Sequence, residues 1–346
     1  MQEKFDIVIV PDFSGNAKKL FEIRTLFFLA SWLEYGGLTK TFPLHIAGIG
    51  PIPESVYTLG KRCNASFTQH QPLHEGGFLN KLCGFEVEGL TENALLLDVD
   101  VLLLADISGL TTLLRHNCIS ANVANDAHLS KYQWTHVYSA LNLPCPPAQM
   151  TTLHREINVN VNNNPNYHES TATFPYYNSG VLFFPWGCHL KTIWKQHFSA
   201  INNLLRDPAY LLNEKVFAMD QPALATTIIH LQLQGIQFCE LPKAYHARWQ
   251  HIYARMLSIN EAKLFHAIGI FKYDSHNVMQ AIDIYHNVLI ERCTKALEMR
   301  QAQVNYFSQI HLAMKYKLAL RDISIFRAKL ELLGTKYVQD LLPDPF

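Results

Sequence analysis

The sequence predicts an α/β protein: a mixed, mostly parallel sheet flanked by helices, followed by a C-terminal helical extension. Three observations carry this. Short apolar runs alternate with longer helix-patterned stretches through residues 1–275, the order expected of a doubly layered α/β sheet. One run, Ala94-Leu95-Leu96-Leu97, is short, unbroken and bounded by polar residues, as a buried strand of a parallel sheet is. Residues 270–333 contain neither Gly nor Pro, which sets them apart as long helices.

In chain order, Phe5 to Val10 reads as the first strand, followed by the turn Pro11-Asp12-Phe13-Ser14-Gly15-Asn16. A helix is expected from about Lys18 to Tyr35, stopped by Gly36-Gly37. Leu44 to Ile49 reads as a second strand, Asn80 to Glu86 as a short helix, and Ile119 to Val123 as a strand with Asn125 and Asp126 at its end. Leu143 to Pro175, rich in Pro and Asn, is long for a loop in a compact domain; it is expected to order over bound ligand. Asn178-Ser179-Gly180 opens a buried strand, Val181 to Phe184. A helix follows around Lys191 to Leu205, and Asp220-Gln221-Pro222 marks another helix start.

Residues 276–346 are set off as a helical region. Ile290, Leu297, Val304, His311, Leu318, Ile325 and Leu332 recur every seven residues, so these helices either fold back as a hairpin or pair with a partner. A mild positive excess there leaves association with a second copy or peripheral membrane contact open.

Composition excludes several classes. Hydrophobic residues are 49% and charged residues 17%, the profile of a folded globular chain. Lys plus Arg equals Asp plus Glu at 29 each, so no global charge points to nucleic acid. The 7 cysteines form no C-x-x-C pair, which argues against zinc ribbons and for free thiols in a reducing compartment. The apolar start is too short for a signal-peptide core, and no run approaches the ~20 residues that span a bilayer. A cytoplasmic protein is expected.

The chemistry starts at Asp98-Val99-Asp100. Ligands of open α/β sheets bind beyond the carboxyl ends of the strands. Two residues apart in an extended chain, Asp98 and Asp100 point to one side and offer hard oxygen donors to Mn²⁺ or Mg²⁺. Three further motifs follow in order: Asn178-Ser179-Gly180, Asp220-Gln221, and His266-x-x-Gly269-x-x-Lys272.

This set, with Asn80-Lys81-Leu82 before the D-x-D, resembles the family 8 retaining glycosyltransferases, which have the GT-A fold. The resemblance covers roughly residues 5–275. It implies a hexosyl group moved from a nucleotide sugar, with UDP favoured, to a saccharide, lipid or protein acceptor. Asp98, Asp100 and His266 become the ligands of Mn²⁺ or Mg²⁺. Lys272 and Gly269 then meet the diphosphate, Asp12 and Lys81 join Asp98 in binding the donor, and Asn178, Asp220 and Gln221 face the sugar and reacting centre. Two departures stand out. The first turn, Pro11-Asp12-Phe13-Ser14, lacks the family's usual aromatic partner just after it, and Tyr273-Asp274 replace the usual Pro-Trp.

The physics is consistent with this reading. A departing diphosphate needs neutralising, which a cation and a lysine supply. A sugar nucleotidyltransferase would need a Gly-rich basic loop after the first strand, and Pro11 to Asn16 has no basic residue. An inverting transferase would need a general base, for which Asp220 or Glu169 is available. A catalytically silent nucleotide-sugar-binding or scaffold protein is the remaining alternative, since fold alone does not establish activity.

Overall fold

The computed structural model describes residues 4–73, 79–90, 93–113, 118–124, 129, 131–147, 174–185, 187–206, 220–248, 257 and 261–266. All lie in one compact unit that ends at His266. Asn125, Asp126, Glu169, Gly269, Lys272, most of the 143–175 loop and the expected C-terminal helices fall outside the described residues.

Seven strands form the main sheet: β1 (Asp6–Ile9), β2 (Leu44–Ile49), β3 (Ser66–His70), β4 (Asn93–Leu97), β6 (Cys118–Val123), β7 (Tyr177–Pro185) and β8 (Gln237–Glu240). Their order is β3-β2-β1-β4-β7-β6-β8. All neighbours are parallel except β7, which runs against both β4 and β6. This is the mixed, mostly parallel sheet that the GT-A resemblance implies. Two short strands, β5 (Val101–Leu103) and β9 (Leu264–His266), pair antiparallel in a second small sheet.

The helices are α1 (Lys18–Tyr35), α2 (Glu54–Arg62), α3 (Leu110–Leu113), α4 (Lys131–Ala140), α5 (Leu190–Arg206) and α6 (Asp220–Leu233). Every residue of α1 from Arg24 to Trp32 is buried. A helix apolar all round must be covered on all sides, and α1 packs on α2 and β5. Ser31 adds a polar tie, its hydroxyl oxygen accepting the Leu103 N–H at 3.1 Å. Gly37 at the end of α1 has φ +51°, a left-handed turn that favours glycine there.

The sheet's centre is built from β4, whose residues Ala94 to Leu97 are at most 1% exposed. It lies between β1 and β7, and the largest apolar cluster extends from it through Trp134, Trp194 and Leu224. Burying side chains of this size contributes about 1.5–3 kcal/mol each.

Two expectations are corrected. Asn178-Ser179-Gly180 does not precede β7 but lies within it, at a point where the β6–β7 register shifts between Ala121 and Asn122. Asp98 to Asp100 is not extended: the Val101 N–H donates to Asp98 O at 3.0 Å, a tight turn that feeds β5.

Candidate functional site

The antiparallel direction of β7 builds the site. Leu97 pairs with Val181, so the start of β7 meets the carboxyl end of β4. The Asp98 N–H donates to Gly180 O at 2.9 Å, fixing the two motifs edge to edge. The turn after β4 then delivers β5, and Val101 pairs with His266 of β9. A small sheet thus carries a histidine from far along the sequence to the D-x-D.

His266 Nε2 lies 3.2 Å from Asp100 Oδ1 and 3.8 Å from Asp98 Oδ2. One ligand atom from each of the three residues lies within 4.8 Å of the others. The two carboxylates converge because of the turn, not the strand pleat that the sequence suggested. Each acid makes its shorter outside contact through its other oxygen, and Lys81 Nζ also reaches Asp98 Oδ2 at 3.4 Å. Asp98 Oδ1 accepts Lys81 Nζ at 3.0 Å, and Asp100 Oδ2 pairs with Arg24 Nη1 of α1 at 3.3 Å. Two carboxylate oxygens and an imidazole nitrogen are therefore turned toward one point. That donor set fits a divalent cation of the Mn²⁺ or Mg²⁺ kind.

Two contacts set the histidine. A Cβ added at Gly180 would meet His266 Cε1 at 2.0 Å, so the imidazole fills the space that glycine leaves. On its other side, His266 Nδ1 is 2.9 Å from Nε2 of the buried His246. If Nε2 of His266 is to ligate, Nδ1 must carry the proton and His246 Nε2 must accept it.

A second cluster adjoins the first through Lys81. Its ammonium donates to Ser179 Oγ at 2.7 Å and lies 3.3 Å from Asp220 Oδ2. The Ser179 hydroxyl in turn donates to Asp220 Oδ2 at 2.6 Å. Burial alone pushes the Lys81 pKa down, but the charges of Asp98 and Asp220 and their hydrogen bonds outweigh it, so the net shift is upward. Lys81 is thus a fixed cation. Asp220 opens α6 and is 2% exposed; Trp194 Nε1 donates to its carbonyl at 2.9 Å. Gln221 follows, half-buried, in the same first turn.

Asn178 Oδ1 accepts the Gly180 N–H at 2.8 Å, which holds the backbone that faces Asp98. Asp12 sits in the first turn, with Oδ1 accepting Ser14 N–H and Oγ–H and Oδ2 accepting Asn80 Nδ2 at 2.8 Å. Asn80 precedes Lys81, so the first turn and the site share one short helix. The structure therefore brings Lys81, Asp98, Asp100, Asp220 and His266 together, with Asn178 supporting them from within β7.

Arg24, Ser179 and His246 were not among the expected site residues. Arg24 left one signal, a charge within an otherwise apolar helix face. Ser179 lay inside a noted motif but looked like spacing. His246 is one of 17 histidines and carries no pattern.

Residues 64–232 match the Rhodobacterales glycosyltransferase domain. That match puts an enzyme domain, of glycosyltransferase type, in the stretch that holds Lys81, Asp98, Asp100, Asn178, Ser179 and Asp220. No curated protein sequence matches the chain. Among solved structures, mouse xyloside xylosyltransferase 1 is similar at 11% identity and a TM-score of 0.43, covering 79% of this chain and 100% of that one. The galactosyltransferase LgtC, solved with donor and acceptor sugar analogs, is similar at 14% identity and a TM-score of 0.42, covering 76% and 87%. The bifunctional glycosyltransferase WbbM is similar at 12% identity and a TM-score of 0.46, covering 83% and 50%.

Proposed function

We propose that this chain transfers a hexosyl group from a nucleotide sugar, UDP-linked by preference, to a saccharide, lipid or protein acceptor, with a divalent cation and with retention at the anomeric carbon. The observation that supports it is the convergence of Asp98, Asp100 and His266 on one point, beside a lysine fixed between Asp98 and Asp220.

Asp98, Asp100 and His266 would hold Mn²⁺ or Mg²⁺. When bound, the cation supplies Lewis-acid neutralisation of the departing diphosphate. The protein's own residues do the rest. Asp98 is the most exposed of the three ligands, its side chain 29% accessible against 10% for Asp100 and 4% for His266, so donor approaches from its side. Lys81 holds a positive charge next to that face without needing to reorganise, which favours negative charge on the leaving group. Lys272 and Gly269 lie outside the described residues, and the family resemblance alone assigns them to the diphosphate. Asp12 orders the first turn for the nucleotide.

Asp220 and Gln221 face the sugar. Asp220 pairs with Lys81 and accepts a hydrogen bond from the Ser179 hydroxyl, so its carboxylate is placed to stabilise positive charge at the anomeric carbon as the donor bond breaks. No covalent intermediate is assigned to it. Asn178 keeps Gly180 and hence Asp98 in register.

The test is turnover of a panel of UDP- and GDP-hexoses with Mn²⁺, following nucleotide release and the product anomer by NMR. An α-linked donor giving an α-configured product supports retention. A β-configured product favours the inverting alternative, with Asp220 or Glu169 as base. Nucleotide binding with no turnover of any donor favours the silent binding protein.

A further inference from the structure

We propose that His70, Cys83 and Glu86 form a second divalent-cation site, of the Zn²⁺ type, distinct from the Asp98–Asp100–His266 centre. It does not depend on the sugar-transfer reading.

His70 is the last residue of β3. Cys83 and Glu86 lie three apart on the 3₁₀ helix Asn80–Glu86. Such a helix has 3.0 residues per turn, so positions i and i+3 eclipse and share a face. One ligand atom from each of the three residues lies within 4.8 Å of the others. A thiolate, an imidazole and a carboxylate are a Zn²⁺ donor set, with a fourth position left for water.

The histidine is oriented as a ligand is. Its Nε2 lies 3.0 Å from Thr68 Oγ1, and its Nδ1 lies 3.2 Å from Glu86 Oε2. Metal-bound histidines place their remaining ring nitrogen on such a polar partner. In the tautomer whose Nε2–H donates to Thr68, the Nδ1 lone pair faces a carboxylate oxygen. Two electron-rich atoms at that distance need a proton or a cation between them. Solvent reaches the group, since the His70 side chain is 12% and that of Glu86 37% accessible.

Lys191 Nζ lies 2.5 Å from the other Glu86 oxygen, Oε1. It shares the carboxylate with the proposed cation and weakens its hold. The position also has a consequence. The same short helix carries Asn80 to Asp12 and Lys81 to Asp98, so a cation at its far end ties β3 to the element that delivers Lys81.

The test is titration of the full chain with Co²⁺, whose near-ultraviolet charge-transfer absorption reports a thiolate ligand. A saturable band is expected for the native sequence and for Asp100→Ala. Cys83→Ser is expected to lose it, and His70→Ala to weaken binding by about tenfold or more. Lys191→Ala should tighten binding roughly two- to fivefold, since it removes a competing partly exposed charge. Where Cys83→Ser does not fold, Glu86→Gln on the exposed side of the group is used and should weaken the band likewise. No band with the native sequence, a band that survives Cys83→Ser at full intensity, or a band that disappears with Asp100→Ala overturns the proposal.

Discussion

His266 occupies the space that a side chain at position 180 would fill: a Cβ on Gly180 would lie 2.5 Å from His266 Nδ1 and 2.8 Å from Nε2. The glycine of the Asn-Ser-Gly motif is therefore a seat for the imidazole. Gly180→Ala must displace that ring or the backbone of β7. We expect a folded protein that has lost Mn²⁺ affinity, with about 1–3 kcal/mol of stability lost to overpacking. Calorimetric Mn²⁺ titration beside urea unfolding checks both; native affinity in a folded variant would show that the ring is not a ligand.

His246 should act through His266. His246→Phe removes the acceptor 2.9 Å from His266 Nδ1 and is expected to weaken Mn²⁺ binding by roughly 10–100-fold. His246→Gln keeps an acceptor and should recover part of the loss. A role in packing alone would make Phe the better tolerated of the two.

The expected bounds of the first helix, Lys18 to Tyr35, and of the strand Leu44 to Ile49 match the structure, because each is a long apolar segment with a clear stop. The D-x-D and Asp220 were legible for the same reason: each follows a strong element boundary. β3, β5, β8 and β9 were not. They run from three to five residues, and Ser66–His70 and Gln237–Glu240 lie at the sheet edges with mostly polar side chains. Periodicity needs more residues and a buried face to show itself. Strand direction is invisible to periodicity altogether, so the reversal of β7 was hidden, and with it the reason Gly180 meets Asp98. His246 could be found only in three dimensions, because its role comes from a contact across a chain crossing.

Lys81 is the cation between Asp98 and Asp220, at 3.0 and 3.3 Å. Lys81→Met leaves Asp220 buried without its counter-charge. The expected cost is about 2–4 kcal/mol, below that of a wholly buried pair because Asp98 is partly exposed. Donor turnover should fall with it. Lys81→Arg keeps the charge and should recover most of the stability. Denaturant unfolding of the two variants checks this.

Acid should destabilise the fold through His197. Burial first, and then the neighbouring His230, lower its pKa from 6.5 to about 4. The unfolded chain binds this proton at higher pH than the folded one. Stability is therefore full above about pH 6.5 and is lost as pH falls toward 4. The melting temperature should drop across that window, and His197→Gln should flatten part of the slope. An unchanged slope in His197→Gln would assign the acid sensitivity to other groups.

The central claim is that Asp98, Asp100 and His266 hold one cation on which nucleotide binding depends. The direct measurement is calorimetric titration of UDP into the native chain, Asp100→Ala and His266→Ala, each with and without Mn²⁺. Binding should require Mn²⁺ in the native chain and vanish in both variants, while their circular dichroism spectra remain native. Metal-independent UDP binding, or a variant that binds UDP and Mn²⁺ with unchanged affinity, would contradict the shared site.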